Sequence, residues 1–86
     1  MEQKRKKNLK AKLFSLQGGV CCYCGTKLRL RSGPLSPFHA TIEHLRRKVD
    51  GGTDRRDNLA VACFPCNSGR GDTDWLTYKS MKMGEI

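Results

Sequence analysis

The feature that most limits what this chain can fold into is a pair of C-x-x-C steps. Cys21-Cys22-Tyr23-Cys24 and Cys63-Phe64-Pro65-Cys66 stand 38 residues apart in a sequence of 86. Each step lets two thiolates converge on one ion from a tight turn, and four thiolates satisfy tetrahedral zinc. Gly25 follows the first pair, where such a turn often needs glycine. A staple is expected on size alone. Only 37% of the residues are hydrophobic and nine are glycine, and a single core this small supplies only about 3–5 kcal/mol. Two other readings of the cysteines stand beside zinc: a redox dithiol, which wants a βαβ context missing here, and buried thiols with no ligand. Structural zinc on Cys21, Cys24, Cys63 and Cys66 is the reading adopted, with Cys22 as a spectator. The odd count of five cysteines argues against a closed disulfide framework. With no signal-peptide pattern and no apolar run long enough for a membrane, the sequence predicts an intracellular, cytoplasmic protein whose thiols stay reduced. The interval between the pairs is about twice that of an ordinary zinc ribbon, so something is built between them.

Seventeen Lys and Arg face eight Asp and Glu, a net charge of +9. That is the footprint of a protein that meets a polyanion, with phosphate backbones the commonest candidate; a solubilising surface or a basic leader would give the same count. The pattern along the chain predicts a basic helix over 2–16 with Leu9, Leu13, Leu16 and Phe14 on its apolar side, ended by Gln17-Gly18-Gly19. A Pro/Gly loop covers 30–38, a strand 39–45, a polar basic loop 46–57 and a second strand 58–62. The second thiol turn then opens into a short helix. A last helix covers 72–81, capped by Thr73 or Asp74, with Trp75, Leu76 and Tyr78 or Lys79 offering an apolar side for packing. Residues 1–20 are expected to pack as a basic helix on a single domain formed by 21–86.

Between the thiol pairs, the strand "ATIEHL" spends adjacent positions on Glu43 and His44. Neighbours on a strand point to opposite faces, so the two cannot form one polar edge. A strand histidine is ordinarily structural, but here Asn58 opens the returning strand and Asn67 directly follows the last cysteine. If zinc joins the two turns, Asn67 comes within reach of the strand that bears Glu43 and His44. A carboxylate oxygen and an amide oxygen are hard ligands suited to Mg²⁺ or Mn²⁺.

Taken together, "CCYCG…ATIEHL…GGTDRRDNLAVACFPCNSGRG" resembles the HNH endonuclease family of the zinc-stapled ββα-metal kind, across residues 21–71. The resemblance implies an α+β fold: a small ββα-metal domain with a structural four-cysteine zinc site and flanking helices. It implies Glu43 and Asn67 as ligands of a catalytic Mg²⁺ or Mn²⁺, His44 as general base, and Asn58 as the residue that pins the long loop by side-chain hydrogen bonds. It departs from the common pattern at Arg46–Lys48, where many members carry a proline, at Glu43, where Asp is commoner, and at Gly71, where some members place a third ligand. The implied reaction is hydrolysis of a DNA phosphodiester. It needs a deprotonated water, neutralised phosphoryl oxygens and help for the departing 3′ oxygen. A histidine, with an ordinary pKa of about 6.5, can take the water's proton near neutral pH. A nicking activity leaving 5′-phosphate and 3′-hydroxyl is expected, with Arg46, Arg47, Lys48, Arg55, Arg56 and Arg70 on phosphates. His39 reads as a loop-end surface residue. Small stand-alone members are often encoded by phages or mobile elements, which suggests a bacterial or phage-infected cell, and a larger partner protein could supply specificity. The alternatives are a non-catalytic zinc-stapled nucleic-acid-binding module and a zinc adaptor that docks through its basic helix. The joint presence of Glu43, His44, Asn58 and Asn67 favours the nuclease.

Overall fold

The computed structural model describes residues 3–30 and 36–84, with side chains from residue 6 onward. The middle of the expected 30–38 loop, residues 31–35, lies outside the described residues. The elements are α1 (Gln3–Leu16), β1 (Ala40–His44), β2 (Leu59–Cys63), α2 (Phe64–Arg70) and α3 (Trp75–Lys82), with short 3₁₀ turns at Lys48–Asp50 and Arg56–Asn58 in the loop between the strands. The strands pair antiparallel, with Ala40 opposite Cys63, Glu43 opposite Ala60 and His44 opposite Leu59. Both α1 and α2 pack on the two strands. All five residues of β2, Leu-Ala-Val-Ala-Cys, are buried, which requires cover on both faces and explains the unbroken apolar run.

Helix α1 is docked by Leu13, which is buried, with Leu9 and Phe14 packed beside it. Leu16, expected on the same stripe, is instead 67% exposed, because the chain leaves the helix just beyond it. Gly19 N–H bonds back to the Phe14 carbonyl at 2.9 Å. Gly18 and Gly19 have φ of +71° and +73°, a conformation glycine adopts without strain. The turn delivers Gln17 to the outer edge of β2. Its Nε2 donates to the Val61 carbonyl at 3.0 Å and its Oε1 accepts from Val61 N–H at 2.8 Å, so a side-chain amide satisfies backbone groups that a two-stranded sheet would leave unpaired.

The core is small: Leu13, Tyr23, Leu28, Ala40, Leu59, Val61, Ala62 and Tyr78 together with Cys21, Cys63 and Cys66. Tyr23 meets Tyr78 edge-to-face at 5.1 Å, a favoured aromatic geometry that seats α3. Of the two expected caps for that helix, Asp74 serves, accepting from Leu76 and Thr77 N–H at 3.2 and 3.3 Å. Leu76, expected on the apolar side, is exposed, while Trp75 is half-buried.

Arg70 requires a correction. Expected on DNA phosphates, it is only 5% exposed, and its guanidinium is spent inside the protein. Nε donates to the Thr73 carbonyl at 2.8 Å, Nη1 to the His44 carbonyl at 2.7 Å and to Tyr23 Oη at 3.1 Å, and Nη2 to the Leu45 carbonyl. Nη1 also lies 3.4 Å from Glu43 Oε2. A planar fork with five donors can join acceptors from three separate segments, Tyr23, Glu43–Leu45 and Thr73, which is why an arginine sits in the core here. Removing one partner of a buried ion pair leaves the other charge unpaired, typically at a cost of about 3–5 kcal/mol. Arg70→Ala should therefore lose roughly that much stability in denaturant unfolding of the zinc-loaded protein. A loss within error of zero would show that the Glu43–Arg70 contact is not part of the folded state.

Candidate active site and metal centre

The two thiol turns come together. The sulfurs of Cys21, Cys24, Cys63 and Cys66 all lie within 4.8 Å of one another, and those of Cys24 and Cys63 are 3.8 Å apart. Zinc–sulfur bonds of about 2.3 Å give a tetrahedral edge of about 3.8 Å, so the donor set and its spacing fit zinc. Locally, the first turn is closed by Gly25 N–H on the Cys21 carbonyl at 3.1 Å and Cys21 N–H on the Thr26 carbonyl at 2.9 Å. Gly25 takes φ +73°. In the second, Cys63 ends β2 and precedes α2, and Pro65 opens the helix where no N–H is needed. Cys22 is outside the four. Its thiol hydrogen-bonds Cys21, the leading cause of a Cys21 thiol held down to about 4. Burial, by contrast, pushes Cys63 and Cys66 up. Four thiols in one small volume cannot all ionise without a cation, and a bound zinc removes that conflict.

Glu43 points inward and is 7% exposed. Tyr23 Oη donates to its Oε2 at 3.0 Å, the same oxygen that faces Arg70. Burial, then the nearby Glu43 charge, raises Tyr23 and keeps its phenol protonated as that donor. Asn67, at the second turn of the metal centre, docks on β1: its Nδ2 donates to Thr41 Oγ1 at 2.9 Å and to the Ile42 carbonyl at 3.1 Å. Thr41 and Glu43 share a face of the strand by parity, so Asn67 and Glu43 lie on the same side of β1. Among the described residues no buried side-chain oxygen lacks a partner, and the contacts of Glu43 fall on Oε2 and those of Asn67 on Nδ2. None of these contacts uses Glu43 Oε1 or Asn67 Oδ1. Two hard oxygens on one side of the strand are the donor type that suits a small divalent cation.

His44 stands on the other side, half-buried, with its side chain 28% exposed. Its Nε2 lies 2.7 Å from Asp54 Oδ1, and Lys48 Nζ holds Asp54 Oδ2 at 3.0 Å. Hydrogen bonds from His44 and then Lys48 hold the Asp54 carboxyl below the usual range. Asn58 closes the loop that carries Asp54. Its Oδ1 accepts from Arg46 N–H at 2.8 Å, and its Nδ2 donates to the Arg46 carbonyl at 3.0 Å and the Thr53 carbonyl at 2.8 Å. The fit is tight enough that a Cβ on Gly52 would lie 1.9 Å from the Arg46 carbonyl oxygen, so no other residue can occupy that position unshifted. Arg46, Lys48, Arg55 and Arg56 are exposed on this loop, whereas Arg47 is half-buried and pairs with Asp50 at 2.9 Å. His39 bridges to Arg29 just before β1, five residues and roughly 16 Å along the strand from His44, apart from the site. The sequence pattern by itself marks neither Asp54 nor Tyr23. The one signal for Asp54 was an acidic residue amid a run of basic ones.

Two antiparallel strands followed by a helix, clamped by four cysteines, define a ββα-metal domain. The model of the HNH endonuclease family matches residues 21–73, well over half of the sequence, and the chain belongs to that family. No curated protein matches it significantly. HNH nucleases act on DNA, and no helix among the described residues is long and apolar enough to cross a membrane.

The metal centre makes separable predictions for its cysteines. Cys63→Ser should leave the protein without zinc and unfolded, since metal binding supplies folding free energy. Cys22→Ser should keep one zinc per chain by elemental analysis; loss of zinc from that variant would place Cys22 among the ligands.

Proposed function

We propose that this protein is a metal-dependent DNA endonuclease that hydrolyses one phosphodiester per encounter, with His44 as general base. The observation that carries the reading is the placement of His44. Its imidazole is solvent-accessible and oriented, on the opposite side of β1 from Glu43 and Asn67, beside a basic loop. His44 takes a proton from water as the water oxygen bonds to phosphorus. The bond from phosphorus to the 3′ oxygen breaks, and its electron pair stays on that oxygen, which is protonated from solvent. The products are a 5′-phosphate and a 3′-hydroxyl. Glu43 Oε1 and Asn67 Oδ1 would hold Mg²⁺ or Mn²⁺, which supplies neutralisation of charge on the phosphoryl and leaving oxygens. Arg46, Lys48, Arg55 and Arg56, with Arg47 as it is shared with Asp50, engage flanking phosphates. They set affinity and its salt dependence, and carry no base sequence.

One His44 makes one site, so supercoiled plasmid should pass through open circles before linear DNA appears, and only with a divalent cation added. General-base catalysis contributes roughly 10²–10⁴-fold. His44→Ala should lose at least about a hundredfold in nicking while zinc content and DNA affinity stay as in the wild type. Cleavage by His44→Ala at the wild-type rate would remove the base assignment. A wild-type protein that binds DNA but cuts nothing with either metal would favour the binding-module reading.

A further inference from the structure

Resting on the nuclease reading, we propose that Asp54 is a positioning residue for His44: it fixes the ring and its tautomer, so that Nδ1 is the atom that takes the proton. The geometry is direct. Asp54 Oδ1 is 2.7 Å from His44 Nε2, and an ionised carboxylate can only accept a hydrogen bond. Nε2 must then carry the hydrogen. In a neutral imidazole that leaves the lone pair on Nδ1, the ring nitrogen not engaged by Asp54.

Asp54 is itself held in place. Lys48 binds its second oxygen at 3.0 Å. Immediately before it, the Thr53 carbonyl is fixed by Asn58 at 2.8 Å. Asn58 thus acts on His44 through Thr53 and Asp54, which gives its loop-pinning hydrogen bonds a consequence at the reacting atom. His44 is anchored at both ends, its carbonyl by Arg70 Nη1 and its ring by Asp54. The charge of Asp54 works against the neighbouring role: a carboxylate among Arg46, Lys48, Arg55 and Arg56 repels phosphate. If Asp54 were only a surface ion-pair partner, removing it should help DNA binding and leave turnover alone.

Asp54→Asn and Asp54→Glu, made in the full zinc-loaded chain, separate these roles. The Asp54 side chain is 41% exposed, and zinc content checks that each variant is folded. In Asp54→Asn, kcat for plasmid nicking should fall about 10–100-fold, the range typical when the hydrogen-bond partner that orients a metal-bound histidine is lost. KM should not rise. Asp54→Glu, which keeps the carboxylate, should recover a large share of kcat. In the long-range proton–nitrogen spectrum of the ring, wild-type His44 should be a single Nε2–H tautomer in its neutral form, and Asp54→Asn a mixture. An unchanged or increased kcat in Asp54→Asn, or an Nδ1–H tautomer in the wild type, overturns the proposal. If the wild type cuts no DNA, the nuclease reading fails and takes the role in turnover with it, while the ring spectrum still decides whether Asp54 fixes His44.

Discussion

Four thiols converge on one small volume, two from the turn that follows α1 and two from the junction of β2 and α2. Among the described residues, three of the eleven that form the buried core are these cysteines, and two more are alanines. Apolar burial in such a core is too small to hold the elements by itself. Without a cation the cluster is also in conflict: Cys21 is driven toward the thiolate while burial drives Cys63 and Cys66 toward the thiol. An ion that binds four thiolates turns that conflict into the strongest cross-link in the molecule.

What the cross-link positions is the face of β1. Each half of the metal centre delivers one residue to that strand. From the first turn, Tyr23, lying between Cys22 and Cys24, donates to Glu43. From the second, Asn67, next to Cys66, bonds Thr41 and Ile42. Arg70, one helical turn beyond Asn67, completes the join by gripping Tyr23 and the carbonyls of His44 and Leu45. The loop then approaches the other side of the strand, with Asn58 closing it and Asp54 meeting His44. A shift in the thiol turns would move Glu43 and Asn67 together, and through Arg70 would reach the backbone of His44.

The sequence carried a good part of this in short-range patterns. Paired thiols at fixed spacing, an apolar run bounded by turn residues, and a Gly-Gly loop each reflect local chemistry and can be read without tertiary structure. Helix and strand bounds came within a few residues: β1 is Ala40–His44 where 39–45 was expected, and β2 is Leu59–Cys63 where 58–62 was expected. The misses concern residues whose role is set by partners distant in sequence. Arg70 reads as a surface charge because arginine is rarely fully buried unless paired, and its partners Glu43 and Tyr23 lie 27 and 47 positions away. Gln17 looks like a helix terminator, yet it closes the edge of a strand 44 positions on. Leu16 fits the helical stripe, but the glycines that follow turn the chain away from the core. Asp54 is one acid in a polar loop, and only the folded loop brings it to His44.

One ion, held by four cysteine sulfurs, fixes this architecture. X-ray absorption at the zinc edge, on protein purified without added chelator, tests it most directly. One zinc per chain, surrounded by four sulfur atoms at about 2.3 Å, is the expected result. A nitrogen or oxygen atom in that shell, or a folded protein that holds no zinc, would contradict it.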